Sequence, residues 1–285
     1  MEYYSIQINI ETTLLDWFKK MKVAKNKYNY LIDNNLCYSN EQTLTRTSIL
    51  KDGDYLYIDL SNYSDMIVKK CKYDLEILYE DNYLIVVNKP YGYIIYDDDT
   101  SKITVTDMVN SYLLDKGETT MAYPAHRLDM ETTGCLVYCK DMITLAYVSS
   151  LFEEKLVTKE YLAIVEGKTD PSGTINQPIG SNRHLNNTMV VSRNGKSALT
   201  KYETIHYGRN SSLIKVIIKT GRTHQIRVHM AYINHPLVGD EKYGSKIKTS
   251  RLMLHCSKVT FVYPSSNKTI TILSKIPQEM NKFVY

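Results

Sequence analysis

The chain has 285 residues, 43% hydrophobic and 23% charged, with a formal net charge of +4. Those proportions exclude a disordered chain, a collagen-like repeat and a disulfide miniprotein, and the length fits one large domain or two of moderate size. The mild positive charge permits a nucleic-acid partner without requiring one, so where the charge sits matters more than its sum.

In chain order, residues 1–20 lack the basic, apolar and small-residue succession of a secretion signal. No apolar run reaches the roughly 20 residues that a membrane-spanning helix needs. A cytoplasmic protein without a membrane partner is expected. Leu14, Leu15, Phe18 and Met21 recur at helical spacing, and a second short helical pattern covers residues 28–32. Lys19, Lys20, Lys22, Lys25 and Lys27 lie close together with no acid among them. Asp52-Gly53 signals a turn before a strand-like alternation at 55–60. A polar stretch then divides the chain into a front segment, 1–62, a linker, 63–74, and a main segment, 75–285.

Beyond the linker, residues 75–79 and 84–87 read as strands around a Glu80-Asp81-Asn82 turn. Residues 105–114 and 141–152 read as helices, the second capped by Asp141 with Leu145, Val148 and Phe152 on one face. Residues 160–166, 198–206, 213–219, 253–262 and 269–273 read as strands. Strands outnumber helices and do not alternate strictly with them, which predicts an α+β fold with a mostly antiparallel sheet.

The five cysteines, Cys37, Cys71, Cys135, Cys139 and Cys256, include no C-x-x-C pair. Cys135 and Cys139 fall in an apolar run, where cysteine is usually a small buried hydrophobe. Neither a disulfide framework nor a zinc site is expected. His126, His224, His229, His235 and His255 match no metal-binding spacing, and there is no G-x-G-x-x-G or P-loop signature.

Three segments are dense in chemically capable residues. His126-Arg127-Leu128-Asp129-Met130-Glu131-Thr132-Thr133-Gly134 leads into an apolar strand, and reads either as a solvated turn or as a site at a strand end. In residues 221–230, Thr223 can cap a helix with Ile226, Met230 and Ile233 on one face. His224 and Arg227 are then neighbours, and a buried Arg227 would require an acid, for which Asp129 is the natural candidate. Alternatively this is an exposed basic face without a ligand. Residues 235–244, with glycine and proline around Asp240-Glu241, read as a structural loop.

These segments resemble the Rlu type of RNA pseudouridine synthase. His126-Arg127-Leu128-Asp129 with Glu131-Thr132-Thr133-Gly134 is similar to that family's H-R-L-D-x-x-T-S-G motif. Asn88-Lys89-Pro90-Tyr91-Gly92, Lys159-Glu160-Tyr161-Leu162-Ala163, residues 221–230, Gly239-Asp240-x-x-Tyr243-Gly244 and Arg251-Leu252-Met253-Leu254-His255 follow in the family's order. The match covers about residues 75–275, with Thr133 where serine is usual and Cys135 where an aliphatic residue is common. The front segment resembles the small S-four-like RNA-binding domain that precedes several such enzymes, with the five lysines as its footprint for phosphates.

The resemblance implies a pseudouridine synthase fold and an isomerase. A uridine in RNA is detached at its glycosidic bond, turned and rejoined through carbon 5, with no redox change and no cofactor. Asp129 matches the essential aspartate, which either attacks the anomeric carbon or removes the 2′ proton. Arg227 matches the arginine that pairs with it, and such a guanidinium lowers a carboxylate's pKa by about 1–3. Tyr161 matches the tyrosine against the target base, and Leu254 the apolar wall opposite. The base must leave its stack, and Arg127 resembles the residue filling the vacated space. His126 and Thr133 are placed with the substrate-binding residues by the same motif. RNA is the implied partner rather than DNA, ribosomal large-subunit RNA ahead of transfer RNA, and a monomer is expected. The rival readings are a transfer-RNA enzyme, a non-catalytic RNA-binding ribosome-assembly factor indifferent to Asp129→Asn, and a metal-dependent hydrolase built from the histidines.

Overall fold

Period-two burial organises the front of the chain in the computed structural model, which describes residues 3–61, 69–97, 102–183, 185–218, 220–263 and 268–283. Strand β1 (Tyr3–Gln7) buries Tyr4 and Ile6. Then come β2 (Thr12–Thr13), α1 (Leu14–Lys20), α2 (Lys25–Asp33), β3 (Cys37–Ser39), β4 (Gln42–Thr43), β5 (Ile49–Leu50) and β6 (Tyr55–Asp59). Thr13 caps α1 by accepting a hydrogen bond from the Asp16 amide, as expected of a hydroxyl at that position. The order β1-β6-β3-β4 makes a four-stranded sheet. Leu14, Phe18, Leu31, Leu56 and Ile58 fill the core beneath it. Residues 63–68 of the expected linker lie outside the described residues, and residues 69–74 form neither helix nor strand.

The main segment begins with β7 (Glu76–Glu80) and β8 (Leu84–Lys89), joined by a turn in which the Asp81 carboxylate accepts the amides of Tyr83 and Leu84. Next are α3 (Val105–Asp115), β9 (Tyr123–Pro124), β10 (Thr133–Cys139), α4 (Met142–Glu153), β11 (Thr158–Glu166), β12 (Ser172–Asn176), β13 (Ile179–Ser181) and β14 (Met189–Val191). They are followed by β15 (Leu199–Tyr207), β16 (Ser211–Ile218), α5 (Gln225–Tyr232), β17 (Leu254–Val262), β18 (Thr269–Leu273) and α6 (Gln278–Asn281). The large sheet runs β12-β15-β16-β11-β17-β10-β8-β7, with β18 beside β17 and β9 beside β10. All these pairings are antiparallel except β10 with β17. The expected α+β class and mostly antiparallel sheet are therefore what the chain forms. Residue 219, placed at a strand end by the sequence, is outside the described residues.

β10 is buried at every position, as a strand covered on both faces must be, and Cys135 and Cys139 are small apolar side chains within it. Its parallel partner comes very close at Gly134. A Cβ there would lie 2.2 Å from the Cys256 carbonyl oxygen, and φ is +109°. Only glycine satisfies both conditions. Gly134→Ala should cost about 2–3 kcal/mol from overpacking and backbone strain, read as a lower denaturation midpoint with unchanged slope.

The helix α4 differs from the single-faced expectation. Val148 and Leu151 enter the large core, while Met142 and Ile143 complete the front segment's core. The Tyr83 hydroxyl also donates to the Ser5 carbonyl on the edge of β1. The front segment is thus seated on the main one through apolar contacts as well as along the chain.

Candidate active site

A cleft opens where the loop before β10, the middle of β11, the end of β16 and the start of α5 meet. Arg127, Asp129, Lys159, Tyr161, His224, Arg227 and Leu254 are among its lining residues. Strand periodicity explains one wall. Lys159 and Tyr161 are two apart on β11 and so share a face. The pairing with β17 slips between Glu160 and Tyr161, leaving Ser257 as an extra residue. Such a bulge re-aims side chains beside a site. Tyr161 is buried, and that burial, with Cys256 next to it, pushes its phenol well above the usual range, so it is neutral at physiological pH. Buried Leu254 adds the apolar surface.

The loop 126–133 is fixed from behind. Lys89 at the end of β8 is fully buried, and its ammonium donates to the carbonyls of Pro90 and Met130 at 2.9 Å each. Burial pushes its pKa down to about 7, against the attraction of Asp129 and with some repulsion from Arg251. An unfolded chain holds this proton up to the ordinary lysine value of 10.5. Between those values the unfolded state binds more protons, so stability rises with pH across the window and is lost as pH falls toward 7. Lys89→Met should flatten that rise by as much as about 1.4 kcal/mol per pH unit, measured as unfolding free energy of wild type and variant between pH 7 and 10.

Asp129 lies at the cleft wall, and its backbone carbonyl accepts the Thr132 amide at 3.0 Å in a turn. Its carboxylate makes no hydrogen bond or ion pair with the described residues. This corrects the expected Asp129–Arg227 pair. The Arg227 guanidinium instead donates from Nε and Nη2 to the Asp240 carboxylate at 2.7 and 2.8 Å, while Nη1 lies 2.6 Å from Glu131. Arg227 and Asp240 are both buried. Burial alone would lower the arginine's pKa, but Asp240, with Glu131 and Asp129, raises it. The bidentate fit is the geometry guanidinium and carboxylate favour. Asp129 thus feels Arg227 only as charge.

Other expectations change in detail. The N-cap position of helix α5 falls not on Thr223 but on His224, which makes no side-chain cap hydrogen bond and adopts left-handed backbone at φ 54°. The His224 Nδ1 is 2.7 Å from the Tyr243 hydroxyl, which also accepts the Met189 amide at 3.0 Å. The loop before α5 is not a free basic face. The Gln225 carboxamide accepts the Arg222 amide and the Thr220 hydroxyl and donates to the Leu199 carbonyl and Thr200 hydroxyl. Thr133 does not face the cleft. It is buried, accepts from Arg251 Nη2 at 2.6 Å and lies 2.9 Å from His255 Nδ1. Its hydroxyl ties β10 to the start of β17 rather than meeting a substrate.

His126 lines an adjoining groove that shares Arg127, Lys159, Gly221 and Arg222 with the first cleft. Its ring stacks on Phe152 at 4.5 Å, and its Nε2 accepts the Val137 amide. Arg127 is exposed where cleft and groove join. Among the described residues no group of three or more histidine, cysteine, aspartate or glutamate side chains could hold a metal ion. His229 is bonded to Thr200 and Gln177, and His235 to the Glu166 carbonyl. No helix among the described residues is long and apolar enough to cross a membrane. The front-segment lysines Lys19, Lys20, Lys22, Lys25 and Lys27 are exposed, with Lys19 paired to Asp16 and Lys22 to Glu154.

Comparison with known proteins identifies the family. The family model described as RNA pseudouridylate synthase matches residues 83–232. An uncharacterized RNA pseudouridine synthase of Bacillus subtilis, YhcT, is 35% identical over 246 residues, covering 85% of this chain and 82% of its own. The ribosomal large subunit pseudouridine synthase D of Vibrio parahaemolyticus is 32% identical over 222 residues, covering 72% of this chain and 68% of its own. The solved human RNA pseudouridylate synthase domain containing 1 superposes with a TM-score of 0.62 at 27% identity, over 71% of this chain and 83% of that one. The fold is that of a pseudouridylate synthase domain. The chain belongs to the RNA pseudouridylate synthase family, and it is an isomerase acting on uridine in RNA.

Proposed function

We propose that this enzyme converts specific uridines of large-subunit ribosomal RNA to pseudouridine, with Asp129 as its essential carboxylate and without a cofactor. The observation that carries the reading is the convergence of Asp129, Tyr161, Arg227 and Leu254 on one cleft, with the Asp129 carboxylate left unengaged. The bond between C1′ and N1 breaks, one between C1′ and C5 forms, C5 loses a proton and N1 gains one. Electrons balance without an oxidant or reductant. Asp129 acts on the sugar, by attack at C1′ or removal of the 2′ proton. The Tyr161 ring supports the base, with its hydroxyl near the C5 proton, and Leu254 closes the opposite side. Arg127 occupies the space the extruded base leaves.

Large-subunit RNA is favoured because relatives named for it align over most of this chain, and because residues 1–62 are read as an S-four-like RNA-binding domain with exposed lysines. In that division residues 75–285 form the catalytic domain. Tritium release from 5-tritiated RNA tests the reading, with protein-free large-subunit RNA and bulk transfer RNA side by side. Release from large-subunit RNA alone is expected. Release from transfer RNA alone would move the substrate there, and binding without release from either would point to an assembly factor.

A further inference from the structure

Four lysines and arginines among the described residues are buried, and each has oxygen acceptors. Lys89 has two carbonyls, Lys140 has Glu80 and Glu118, Arg227 has Asp240 and Glu131, and Arg251 has the Thr133 hydroxyl. Lys159 breaks this pattern. It is half-buried, and its Nζ makes no hydrogen bond or ion pair with the described residues. Its one contact of note is the Phe152 ring, 5.5 Å from the ammonium to the ring centre. Burial pulls its pKa down, as expected of a cation that has lost water and gained no anion. An unpaired ammonium in such surroundings costs free energy, which a bound anion would recover.

The place of this ammonium says which anion. Lys159 lines both the Asp129 cleft and the adjoining groove, and Arg127 and Arg222 line both as well. The backbone at Gly221 passes so close that a Cβ there would lie 3.7 Å from Nζ, so a longer side chain would cover the ammonium. Arg222 is held in place by its Nε, which donates to the Ser197 carbonyl at 3.0 Å. Glu153 lines the groove, but no carboxylate among the described residues is paired with Lys159. Three cations therefore line both cleft and groove, none of them ion-paired among the described residues, and of the two half-buried ones only Arg222 has a hydrogen bond.

We propose that Lys159 binds a backbone phosphate of the RNA next to the target uridine, and that this phosphate is the counterion the free enzyme lacks. The inference rests on the reading of the Asp129 cleft as the uridine site. A nucleotide seated there must send its flanking backbone out past Lys159, with the groove receiving the continuing strand. The desolvated ammonium is then a preformed phosphate site whose cost is borne in the free enzyme.

The test replaces Lys159 with methionine, which keeps the apolar stem, and with arginine, which keeps the charge. Filter binding to protein-free large-subunit RNA is followed across a salt series, and thermal unfolding of each free protein is measured. Lys159→Met should bind RNA on the order of tenfold more weakly at low salt, with a log–log salt slope flatter by about 0.7–0.9, the value of one lost phosphate contact. Its melting temperature should equal or exceed that of wild type, because an uncompensated, half-buried charge is gone. Lys159→Arg should keep the slope. Should Lys159→Met fail to fold, Lys159→Gln takes its place under the same expectations. An unchanged slope in the charge-free variant, whether or not it melts lower, would overturn the proposal and leave Lys159 a packing residue. Binding needs no turnover, so wild type that releases no tritium while the slope still responds to Lys159 would sink the uridine-site reading and leave a phosphate site standing.

Discussion

Asp129→Asn should reduce tritium release by roughly 10²–10⁴-fold or to background, the range expected when a reacting carboxylate is removed. Asparagine has the same shape but can neither attack the sugar nor take a proton from it. The folded state should hardly notice, because the carboxylate bonds to no described residue and the local turn depends on the backbone carbonyl. Unchanged thermal unfolding and RNA binding together with lost release would assign the loss to chemistry. Release near the wild-type rate would remove Asp129 from the reaction.

Asp240→Ala should be the most destabilising substitution in the site. Arg227 is buried and two of its hydrogen bonds end on Asp240, so the variant strands a guanidinium with Glu131 alone. Removing one partner of a buried pair costs about 3–5 kcal/mol, on the order of 10 °C in melting temperature for a domain of this size. Glu131→Gln should cost much less, about 1 kcal/mol, because that side chain keeps 34% exposure and water can replace the lost charge. Thermal unfolding of both variants beside wild type checks the ordering. Equal losses would mean that Glu131 holds Arg227 as firmly as Asp240 does.

Much of the fold was legible because burial follows period. The strands around residues 160–166, 213–218 and 254–262 show as apolar runs, and Asp141 caps α4 as its residue type predicts. The short strands β12 to β14 were not, since three to five residues carry too little pattern to separate from loop. The site residues were legible as types in a motif order, but their pairings were not. Asp129, Glu131 and Asp240 all sit in that motif set, and which acid meets Arg227 is decided when the loop after α5 folds back over it. Gly239 was the available signal. With φ at +81° and Thr249 Oγ1 2.3 Å from where a Cβ would be, it holds Asp240 in a loop with little freedom. Thr133 misled for a related reason, because a hydroxyl beside a reactive loop looks alike whether it faces a substrate or a neighbouring strand. Lys159 and Lys89 stood in quoted motifs without a role, since the lack of a counterion and the depth of burial are tertiary facts.

Nucleoside analysis of large-subunit RNA after incubation with wild type or Asp129→Asn tests the proposal that the Asp129 cleft isomerises uridine there. Wild type should form one pseudouridine for each tritium released from carbon 5, and Asp129→Asn should form none while still binding the RNA. Pseudouridine formed by Asp129→Asn at the wild-type rate would remove Asp129 from the chemistry, and tritium released without pseudouridine would rule out the isomerisation.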